Sequence, residues 1–513
     1  GITGTPNIVV GIMTGTLNGD GSSLTGIAAT NWITNNVTAN SSTTTVDLSD
    51  GNVVKFTQSA DTTVSFANTG TSNIVSFIRI KDSGSTARTI TWPSTIKWDG
   101  GSSPELYQAQ YGSDVQVINL LTRDEGVTWY GWQMMKDDTA PLTPDRELWA
   151  WGSNGNGGLG QNDGPTAHRS SPVQIPGTNW YTAMSGDPAN TASAMRTDRT
   201  GWGWGRNYSG MLADNSPSNS NRSSPIQIDG TWNILKIAGY NGIGIKVDGT
   251  LWMWGENGRG GLGQNQAYAQ LPGTSSPVQV TTETNWAYVT SGYENASAAI
   301  NTSGELFSWG YNKYGNGGIN VGGQDGYSSP TQIPGTTWSQ VCRTNENTGA
   351  VKTDGTLWTW GRNHKGALGQ NNTTSYSSPV QIPGTTWSKV SMGNWTGNCG
   401  AIKTDGTLWS WGYNGAGSLG HNQGFPALNQ ASSPIQIPGT TWNDVLVGQQ
   451  LMIATKTDGT LWAWGANTTG QLGQNNKTDY SSPKQIPGTS WALGPDMDQM
   501  NGYAGGPILA LKN

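Results

Sequence analysis

One pattern recurs seven times between residues 147 and 513 of this 513-residue chain, and it restricts the fold more than any other feature. The pattern reads Asp-Gly-x-Leu-Trp-x-Trp-Gly-x-Asn-x-x-Gly-x-Leu-Gly, followed by Ser-Pro, as in "TDGTLWSWGYNGAGSLGHN" at residues 404–422. A period of about 51 residues is the signature of a repeat architecture, in which each unit packs on its neighbours. The first aromatic residue of the copies falls at Trp149, Trp202, Trp252, Phe307, Trp358, Trp409 and Trp462.

Each copy is predicted to form four strands, A to D, because short apolar runs alternate with turn residues. In the copy around residue 400 we predict strand A as "WSKVSMG", strand B as "GAIKT", strand C as "LWSWG" and strand D as "SPIQI". Asp405-Gly406, between strands B and C, predicts a two-residue hairpin loop, since both residues tolerate positive φ. Seven units of four strands predict an all-β fold, a seven-bladed β-propeller with four-stranded blades.

The two ends of the repeat region are incomplete in complementary ways. The first copy has strands C and D at 148–175 with no A or B before them, and the chain ends with a B-like "PILALKN" at 507–513. We therefore predict that the C-terminal strands A and B pair with the N-terminal strands C and D in one blade. Such closure removes the free strand edges of an open array.

The repeat, on these residues and this spacing, resembles the regulator-of-chromosome-condensation type repeat. The resemblance covers residues 147–513 and implies the propeller fold. The family includes nucleotide-exchange factors for a nuclear GTPase and bacterial binding proteins, among them a β-lactamase inhibitor. Its eukaryotic members often carry a His in the A–B loop after the Gly, and this chain has no His at that place. The resemblance therefore implies the fold, and the missing His argues against exchange-factor activity.

Three C–D loops contain the dinucleotide-binding pattern G-x-G-x-x-G, at 155–160, 258–263 and 415–420. A dinucleotide site needs a helix after the pattern, whose N-terminus holds the pyrophosphate. Here each pattern leads instead toward a Ser-Ser-Pro strand. We predict turn glycines between strands C and D, and no cofactor.

Charge and composition exclude several classes of function. The net charge of −6 and the pI of about 5.1 argue against general nucleic-acid binding, which needs a Lys/Arg footprint. No apolar run approaches the length of a membrane span. Cys342 and Cys399 are predicted to be buried thiols, with a disulfide between them as the alternative. The chain opens with Gly1 and no signal-peptide pattern, which indicates a removed initiator Met or a portion of a longer polypeptide.

The sequence gives little support to catalysis or metal binding. His168, His364 and His421 are scattered over the C–D loops of different blades, and no catalytic motif is present. We predict a non-enzymatic protein without a metal site. A glycosidase-like pair drawn from the carboxylates near the A–B loops is the alternative; these carboxylates are Asp187, Glu294, Glu346 and Asp496.

The first 146 residues differ from the repeats. Alternating apolar and polar residues between Gly, Asn and Asp turns predict a small β-sandwich domain. The motifs "TITWPSTIKWDGG" and "DEGVTWYGW" resemble a β-module of phage tail-fibre and other virion proteins, and "LNGDGSSLTGI" resembles a segment of the same proteins. We predict four regions: an extended virion-attachment and oligomerisation segment at 1–44, the β-sandwich at 45–137, a linker at 138–146 and the propeller at 147–513.

A parity argument predicts the binding face of the propeller. In four antiparallel strands the A–B and C–D loops leave the blade at one end, where they vary between copies, while the B–C and D–A turns at the other end are nearly constant. A rigid scaffold with diverse loops at one end is typical of binding proteins. Aromatic residues among Asn, Gln and Gly suit contact with carbohydrate or protein. The candidate residues are Asp187, Tyr240, Tyr293, Asn345, Trp395 and Gln449 near the centre, and Tyr268, Tyr327, Tyr376, Phe425 and Tyr480 farther out.

These observations predict a phage tail fibre or spike on the virion surface whose propeller binds a host-surface glycan or protein. Its other partners are expected to be virion proteins contacting the N-terminal region, and no nucleic acid or membrane insertion is expected. The short apolar stretches of residues 1–27 cannot form a core of their own and are expected to order against partner chains or a neighbouring protein. Fibres of the resembled class are commonly homotrimers, so the resemblance implies a homotrimer joined through this part. The alternatives are a capsid or tail decoration protein with a purely structural propeller, and a surface-polysaccharide depolymerase.

Overall fold

The computed structural model forms two compact units, Gly1–Asp137 and Asp138–Asn513. It describes residues 34–50, 53–69, 73–81, 89–98, 115–122, 124, 126–135, 142 and 145–513, with gaps in the last range at 165, 187–189, 217–219, 267–268, 322–323, 396, 425–426 and 495–505. Most of the predicted virion-attachment segment, residues 1–33, lies outside the described residues. The described helices are three-residue 3₁₀ turns, and none of them has the length or hydropathy to cross a membrane.

The first unit consists of two β-sheets. One sheet has six strands in the order β1-β3-β5-β8-β9-β7, and the other has three strands in the order β2-β4-β6. The strands are β1 Thr34–Ala39, β2 Thr43–Asp47, β3 Val53–Gln58, β4 Thr62–Ala67, β5 Asn73–Lys81, β6 Ile90–Thr91, β7 Ile96–Trp98, β8 Val115–Thr122 and β9 Trp129–Met135.

Successive strands from β1 to β7 alternate between the two sheets. As a result β1, β3 and β5 pair in parallel in one sheet, and β2, β4 and β6 pair in parallel in the other, like the coils of a solenoid. The two sheets share one core, which confirms the predicted sandwich. The predicted boundary at residue 45 was wrong, because β1 already pairs with β3 from Thr34 onward. The alternation of apolar residues that predicted the strands carries no information on which sheet each strand joins.

The motifs "TITWPSTIKWDGG" and "DEGVTWYGW" contribute tryptophans that pack in or against this core. Trp92 stands edge-on to Phe77, with ring centroids 5.1 Å apart, and Trp98 stands edge-on to Trp92 at 5.5 Å. Gly131 of "DEGVTWYGW" lies under Trp98, where a Cβ atom would come within 2.5 Å of the indole ring. The motifs therefore have a packing role in this unit.

The second unit contains seven four-stranded antiparallel blades, as predicted. In the first three blades, two long strands serve as strand D of one blade and strand A of the next. Blade 1 has A Trp491–Ala492, B Pro507–Lys512, C Arg146–Gly152 and D at the start of Arg169–Gly186; blade 2 has A at the end of Arg169–Gly186, B Thr191–Arg196, C Thr200–Gly205 and D at the start of Arg222–Ala238; blade 3 has A at the end of Arg222–Ala238, B Asn241–Lys246, C Leu251–Glu256 and D Gly273–Gln279.

The other four blades each have four separate strands. Among the described residues of the whole propeller, five 3₁₀ turns lie in the loops between strands, at Gly155–Gly157, Tyr208–Gly210, Gly258–Gly260, Tyr293–Asn295 and Gly415–Gly417. In the order A to D, blade 4 has Trp286–Ser291, Ala296–Asn301, Leu306–Asn312 and Gln324–Ile333; blade 5 has Trp338–Arg343, Asn347–Lys352, Leu357–Gly361 and Tyr376–Ile382; blade 6 has Trp387–Met392, Cys399–Lys403, Leu408–Tyr413 and Gln430–Ile437; blade 7 has Trp442–Gly448, Leu451–Lys456, Leu461–Gly465 and Tyr480–Ile486.

Blade 1 is closed by both ends of the repeat region, which confirms the prediction from the incomplete copies. Strand B of this blade pairs antiparallel with strand C in a continuous register, from Glu147 opposite Lys512 to Gly152 opposite Pro507. The residues just before strand C are also attached to the propeller, although they were predicted to be a linker. The backbone N–H of Leu142 donates to the carbonyl of Thr197, and the Asp145 carboxylate accepts from the Thr197 hydroxyl at 2.7 Å.

The second aromatic residue of strand C, a tryptophan in every blade, connects its blade to the preceding one. Its ring is fully buried, and its Nε1–H donates to a backbone carbonyl in the C–D loop of the preceding blade at 2.8–3.1 Å. A buried indole needs such an acceptor, so the bond fixes both the ring and the loop. The donor and acceptor pairs are Trp151 and Gln471, Trp204 and Gly158, Trp254 and Met211, Trp309 and Gly261, Trp360 and Asn316, Trp411 and Ala367, and Trp464 and Ser418.

The glycine pattern in the C–D loops serves this blade-to-blade contact. In the copy at 415–420, residues Gly415–Gly417 form a 3₁₀ turn, and Gly417 has φ +75°. A Cβ at Gly417 would come within 2.4 Å of Ser481 Cβ in the next blade. Two residues after the pattern, the Asn422 N–H donates to the Ser481 carbonyl at 2.7 Å. The prediction of turn glycines is confirmed, and the Ser-Ser-Pro signature supplies the surface on which the turn packs.

The Asp-Gly hairpin differs in detail from the prediction. Of the two central residues only Gly406 has positive φ, at +76°. The Gly406 N–H donates to the Lys403 carbonyl, and the Lys403 N–H donates to the Thr407 carbonyl. This is a three-residue loop that ends in a left-handed bulge glycine. Asp405 is therefore free to accept hydrogen bonds from the Thr407 N–H and hydroxyl, at 3.0 and 2.7 Å.

Candidate binding face

The A–B and C–D loops lie at one end of the blades, because all four strands of each blade are antiparallel. We call this end the loop face. The B–C and D–A turns lie at the opposite end. The structure brings some of the described candidate residues into one cluster and separates others.

Four aromatic rings contact one another in a row on the loop face, and we call them the aromatic collar: Tyr208, Tyr240, Tyr293 and Trp395. Each neighbouring pair has its ring centroids 5.2 Å apart, and the planes are tilted by 49–50°. The hydroxyls of Tyr240 and Tyr293 are hydrogen-bonded at 2.7 Å. Trp395 is 39% exposed, so the collar presents a large aromatic surface to solvent.

Loops of four different blades supply the collar. Tyr208 lies in the C–D loop of blade 2, Tyr240 in the A–B loop of blade 3, Tyr293 in the A–B loop of blade 4 and Trp395 in the A–B loop of blade 6. Trp395 thus reaches Tyr293 past blade 5. Blade 5 makes this possible because it has the buried Asn345 at the corresponding place instead of an aromatic ring.

Two candidate residues are buried, which corrects the prediction that they face a ligand. Asn345 is only 1% exposed, and its Oδ1 accepts the backbone N–H of Trp395 at 3.3 Å. This bond supports the loop in which Trp395 has φ +63°. Gln449 is 7% exposed. A polar loop residue looks the same in the sequence whether it faces solvent or holds a neighbouring loop.

The outer candidates do not extend the collar. Tyr327, Tyr376 and Tyr480 lie in strand D of their blades and are half-buried. The hydroxyl of Tyr480 accepts from Asn476 Nδ2 at 3.1 Å, and Tyr376 does the same with Asn372 at 3.3 Å. The other three candidates, Asp187, Tyr268 and Phe425, lie outside the described residues.

Charged side chains surround the collar in ion pairs and ring contacts. Arg259 Nη1 lies 3.0 Å from Glu294 Oε2, and its guanidinium stands 4.4 Å from the ring centre of Tyr311. Arg362 pairs with Glu346. Burial raises the pKa of Glu346 above its ordinary value, while Arg362 opposes this shift. The loop face therefore carries ion-paired arginines and carboxylates in addition to the aromatic collar.

Of the carboxylates considered for a glycosidase-like pair, the two that the structure describes are each engaged by an arginine. Glu294 and Glu346 form the ion pairs described above, and Asp187 and Asp496 lie outside the described residues. Among the residues that the structure describes, no group of three or more His, Cys, Asp and Glu side chains could hold a metal ion. Cys342 and Cys399 are buried and form no disulfide, and burial raises the pKa of the Cys399 thiol well above its ordinary value.

Sequence reasoning missed Tyr208, although it is part of the collar. Its position in the repeat follows the Asn of the Trp-Gly-x-Asn motif, where three other copies have Gly. Its contact with Arg206, whose guanidinium lies 5.0 Å from the ring centre, was also missed. The departure from the repeat was the signal that could have found Tyr208. The contact of the four rings with one another could not be predicted from the sequence, because it depends on the angle between blades.

Comparison with known proteins supports the β-propeller fold of the second unit. The model of the Regulator of chromosome condensation (RCC1) repeat matches residues 248–299, 354–397 and 458–491. The second unit therefore carries RCC1 repeats arranged in an RCC1-like β-propeller.

Among curated proteins, the ultraviolet-B receptor UVR8 of Arabidopsis thaliana is 27% identical over 355 residues, which are 66% of this chain and 78% of UVR8. Two solved structures share the fold. Human WBSCR16 has a TM-score of 0.60 and 19% identity, and the match covers 72% of this chain and 99% of that one. Prp20p of Saccharomyces cerevisiae, described with its binding properties to Gsp1p and histones, has a TM-score of 0.61 and 16% identity, with 73% and 93% coverage.

Proposed function

We propose that this chain is a non-enzymatic binding protein whose loop face recognises a macromolecular partner through the aromatic collar. The observation on which this proposal rests is the row of four contacting aromatic rings from four blades, which ends at the exposed Trp395. Large rigid aromatic side chains gain contact area at small entropic cost and are enriched at binding hot spots. The binding of protein partners by the yeast propeller supports the use of this fold as a protein-binding scaffold.

The partner that we propose is a glycan or protein on the surface of a host cell, with the chain exposed on a phage virion as a tail fibre or spike. Support comes from the N-terminal motifs "TITWPSTIKWDGG" and "DEGVTWYGW", which resemble virion β-modules. The diversity of the loops at one end of an otherwise regular ring supports it as well. In this arrangement the N-terminal region contacts other virion proteins, and the loop face points toward the host.

Replacing Trp395 with Ala is expected to reduce binding to host cells by roughly 30-fold or more, the effect of losing one hot-spot residue. Fluorescently labelled full-length protein would be added to a panel of bacterial strains, and bound label would be measured by flow cytometry. The matched control is Tyr480→Ala, which truncates a half-buried ring outside the collar. Equal binding by wild type and the Trp395→Ala variant on every strain that wild type binds would contradict the assignment of the collar.

A second prediction concerns the proposed homotrimer. Deleting residues 1–33 is expected to convert a trimer of the full chain into a monomer, because the proposal assigns trimer contacts to this segment. The deletion ends before β1, which pairs within the sandwich and must be kept. Multi-angle light scattering of both proteins measures the mass directly. A full chain that is already monomeric, or a deletion that remains trimeric, would disprove this assignment.

A further inference from the structure

In six of the seven blades, a cation from strand B stands over two aromatic rings of the same blade. One ring is the tryptophan that begins or precedes strand A, and the other is the first tryptophan of strand C. The charged groups lie 3.7–5.6 Å from the ring centres, within the range of a cation–π interaction. The cations are Lys512, Arg196, Lys246, Lys352, Lys403 and Lys456 in blades 1, 2, 3, 5, 6 and 7.

Blade 4 has the aromatic pair without the cation. Trp286 and Phe307 occupy the ring positions, with centroids 5.3 Å apart. Asn301 pairs with Trp286 in the register in which Lys456 pairs with Trp442 in blade 7. The blade therefore keeps two aromatic walls and replaces the charged side chain with a short neutral one.

The pocket left in blade 4 is larger than its counterparts. Its volume is about 530 Å³, whereas the pockets beside Lys456 and Arg196 measure about 360 and 280 Å³. Trp286 and Phe307 line it, and no Lys, Arg or His is found among its described lining residues. Its lining combines residues near the B–C turn of blade 4 and the connection from blade 3, such as Glu305 and Glu283, with residues 263–265 of the C–D loop of blade 3.

The pocket also gains negative charge. Glu305 and Glu283 line it, whereas the pocket beside Lys456 has no carboxylate among its lining residues. Asn301 Nδ2 donates to Glu305 Oε2 at 2.7 Å, which holds this carboxylate at the pocket. A hydrogen bond from Thr281 lowers the pKa of Glu283, so this group is ionised at neutral pH. Blade 4 therefore has two carboxylates beside its aromatic pair and no cation among the described lining residues.

We propose that the blade-4 pocket binds an alkylammonium group from outside the chain, which takes the place of the missing lysine between Trp286, Phe307 and the two carboxylates. The aromatic faces attract a cation that has lost part of its water, and the carboxylates neutralise it. The group belongs either to a lysine side chain of a partner protein or to a free polyamine. This inference is independent of the proposed function, since none of the residues that line the pocket belongs to the aromatic collar.

Saturation-transfer difference NMR of the full chain with n-butylammonium tests the chemistry of the pocket. We expect transfer to the methylene protons next to the two rings, and at least fivefold less transfer to 1-butanol, which has the same length and no charge. In the Asn301→Lys variant a tethered ammonium fills the pocket as in the other blades, so the butylammonium signal should fall at least fivefold. Asn301→Gln, which changes the side chain without adding charge, should keep the signal.

Circular dichroism and the thermal midpoint would confirm that the Asn301→Lys variant is folded, and Glu305→Gln is the second variant if it is not. Glu305→Gln should reduce the signal at least threefold. Nα-acetyl-lysine methylamide and spermidine, used in separate arms, distinguish a peptide lysine from a polyamine by which of the two displaces n-butylammonium. Equal signals for butylammonium and butanol, or a signal unchanged by Asn301→Lys in the folded variant or by Glu305→Gln, would overturn the proposal.

Discussion

Deleting Pro507–Asn513 is expected to open the propeller and to lower the midpoint of its thermal unfolding by roughly 10 °C or more. The deletion removes strand B of blade 1, whose Ile508, Leu509 and Leu511 are at most 1% exposed. Each buried Leu or Ile that is lost costs about 2–5 kcal/mol, and the usual stability of a whole domain is about 5–15 kcal/mol. The deletion also exposes Leu148 and Trp151 on the neighbouring strand C.

Scanning calorimetry of the full chain and of the deletion variant would measure this effect, with the transition of the propeller followed separately from that of the first unit. Removing Asn513 alone is the matched control, since it lies beyond strand B and should shift the midpoint little. A circular permutant of the propeller that joins Asn513 to Glu147 through a short Gly-containing turn, with new ends at 438–441, should still fold. If the truncated protein melts like the intact chain, the closure of blade 1 does not hold the ring together.

Trp411→Ala is expected to destabilise the propeller by about 3–5 kcal/mol, as large-to-small changes of a core aromatic residue do. The ring is fully buried between blades 5 and 6, and its Nε1–H donates to the Ala367 carbonyl at 2.8 Å. Its loss leaves a cavity and removes a bond that holds the C–D loop of blade 5. Trp411→Phe keeps part of the ring and loses the donor, so we expect a smaller cost of about 1–3 kcal/mol.

Urea unfolding followed by circular dichroism would give the difference in the free energy of unfolding from the shift of the midpoint. Trp395→Ala is the matched control, because this indole is 39% exposed on the loop face and should change stability by only about 0.5 kcal/mol. We therefore expect Trp411→Ala to reduce stability and Trp395→Ala to reduce binding. Equal effects of Trp411→Ala and Trp395→Ala on unfolding would contradict the role of the second tryptophan in joining blades.

The repeat determined the architecture of the propeller at the level of sequence. Periodic tryptophans, turn glycines and Ser-Ser-Pro act locally, so strand order and blade count could be predicted from spacing alone. The closure of blade 1 also followed, because one end lacked the two strands that the other end had in excess. In the first unit the alternation of apolar residues predicted strands, and the winding of those strands between two sheets was missed.

The candidate site depended on the tertiary structure to a much greater degree. The sequence identified Tyr240, Tyr293 and Trp395 as candidate loop residues. Their contact with one another depends on the angle between blades and on how far each loop extends from its blade. Asn345 also lies in an A–B loop and was predicted in the same way, yet it is buried and accepts a hydrogen bond from the backbone of Trp395.

The sequence by itself determined the number of blades, their strands and the end of the ring at which the loops vary. These properties are encoded within single repeats, where period and turn chemistry suffice. Only the tertiary structure decided which loop residues meet, which are buried and where a cation is missing. In blade 4 a single Asn stands where the other six blades have Lys or Arg. This difference suggests a binding site only because Trp286, Phe307, Glu283 and Glu305 line the same pocket. Such contacts join residues from several strands and loops, so they depend on packing, which no local pattern specifies.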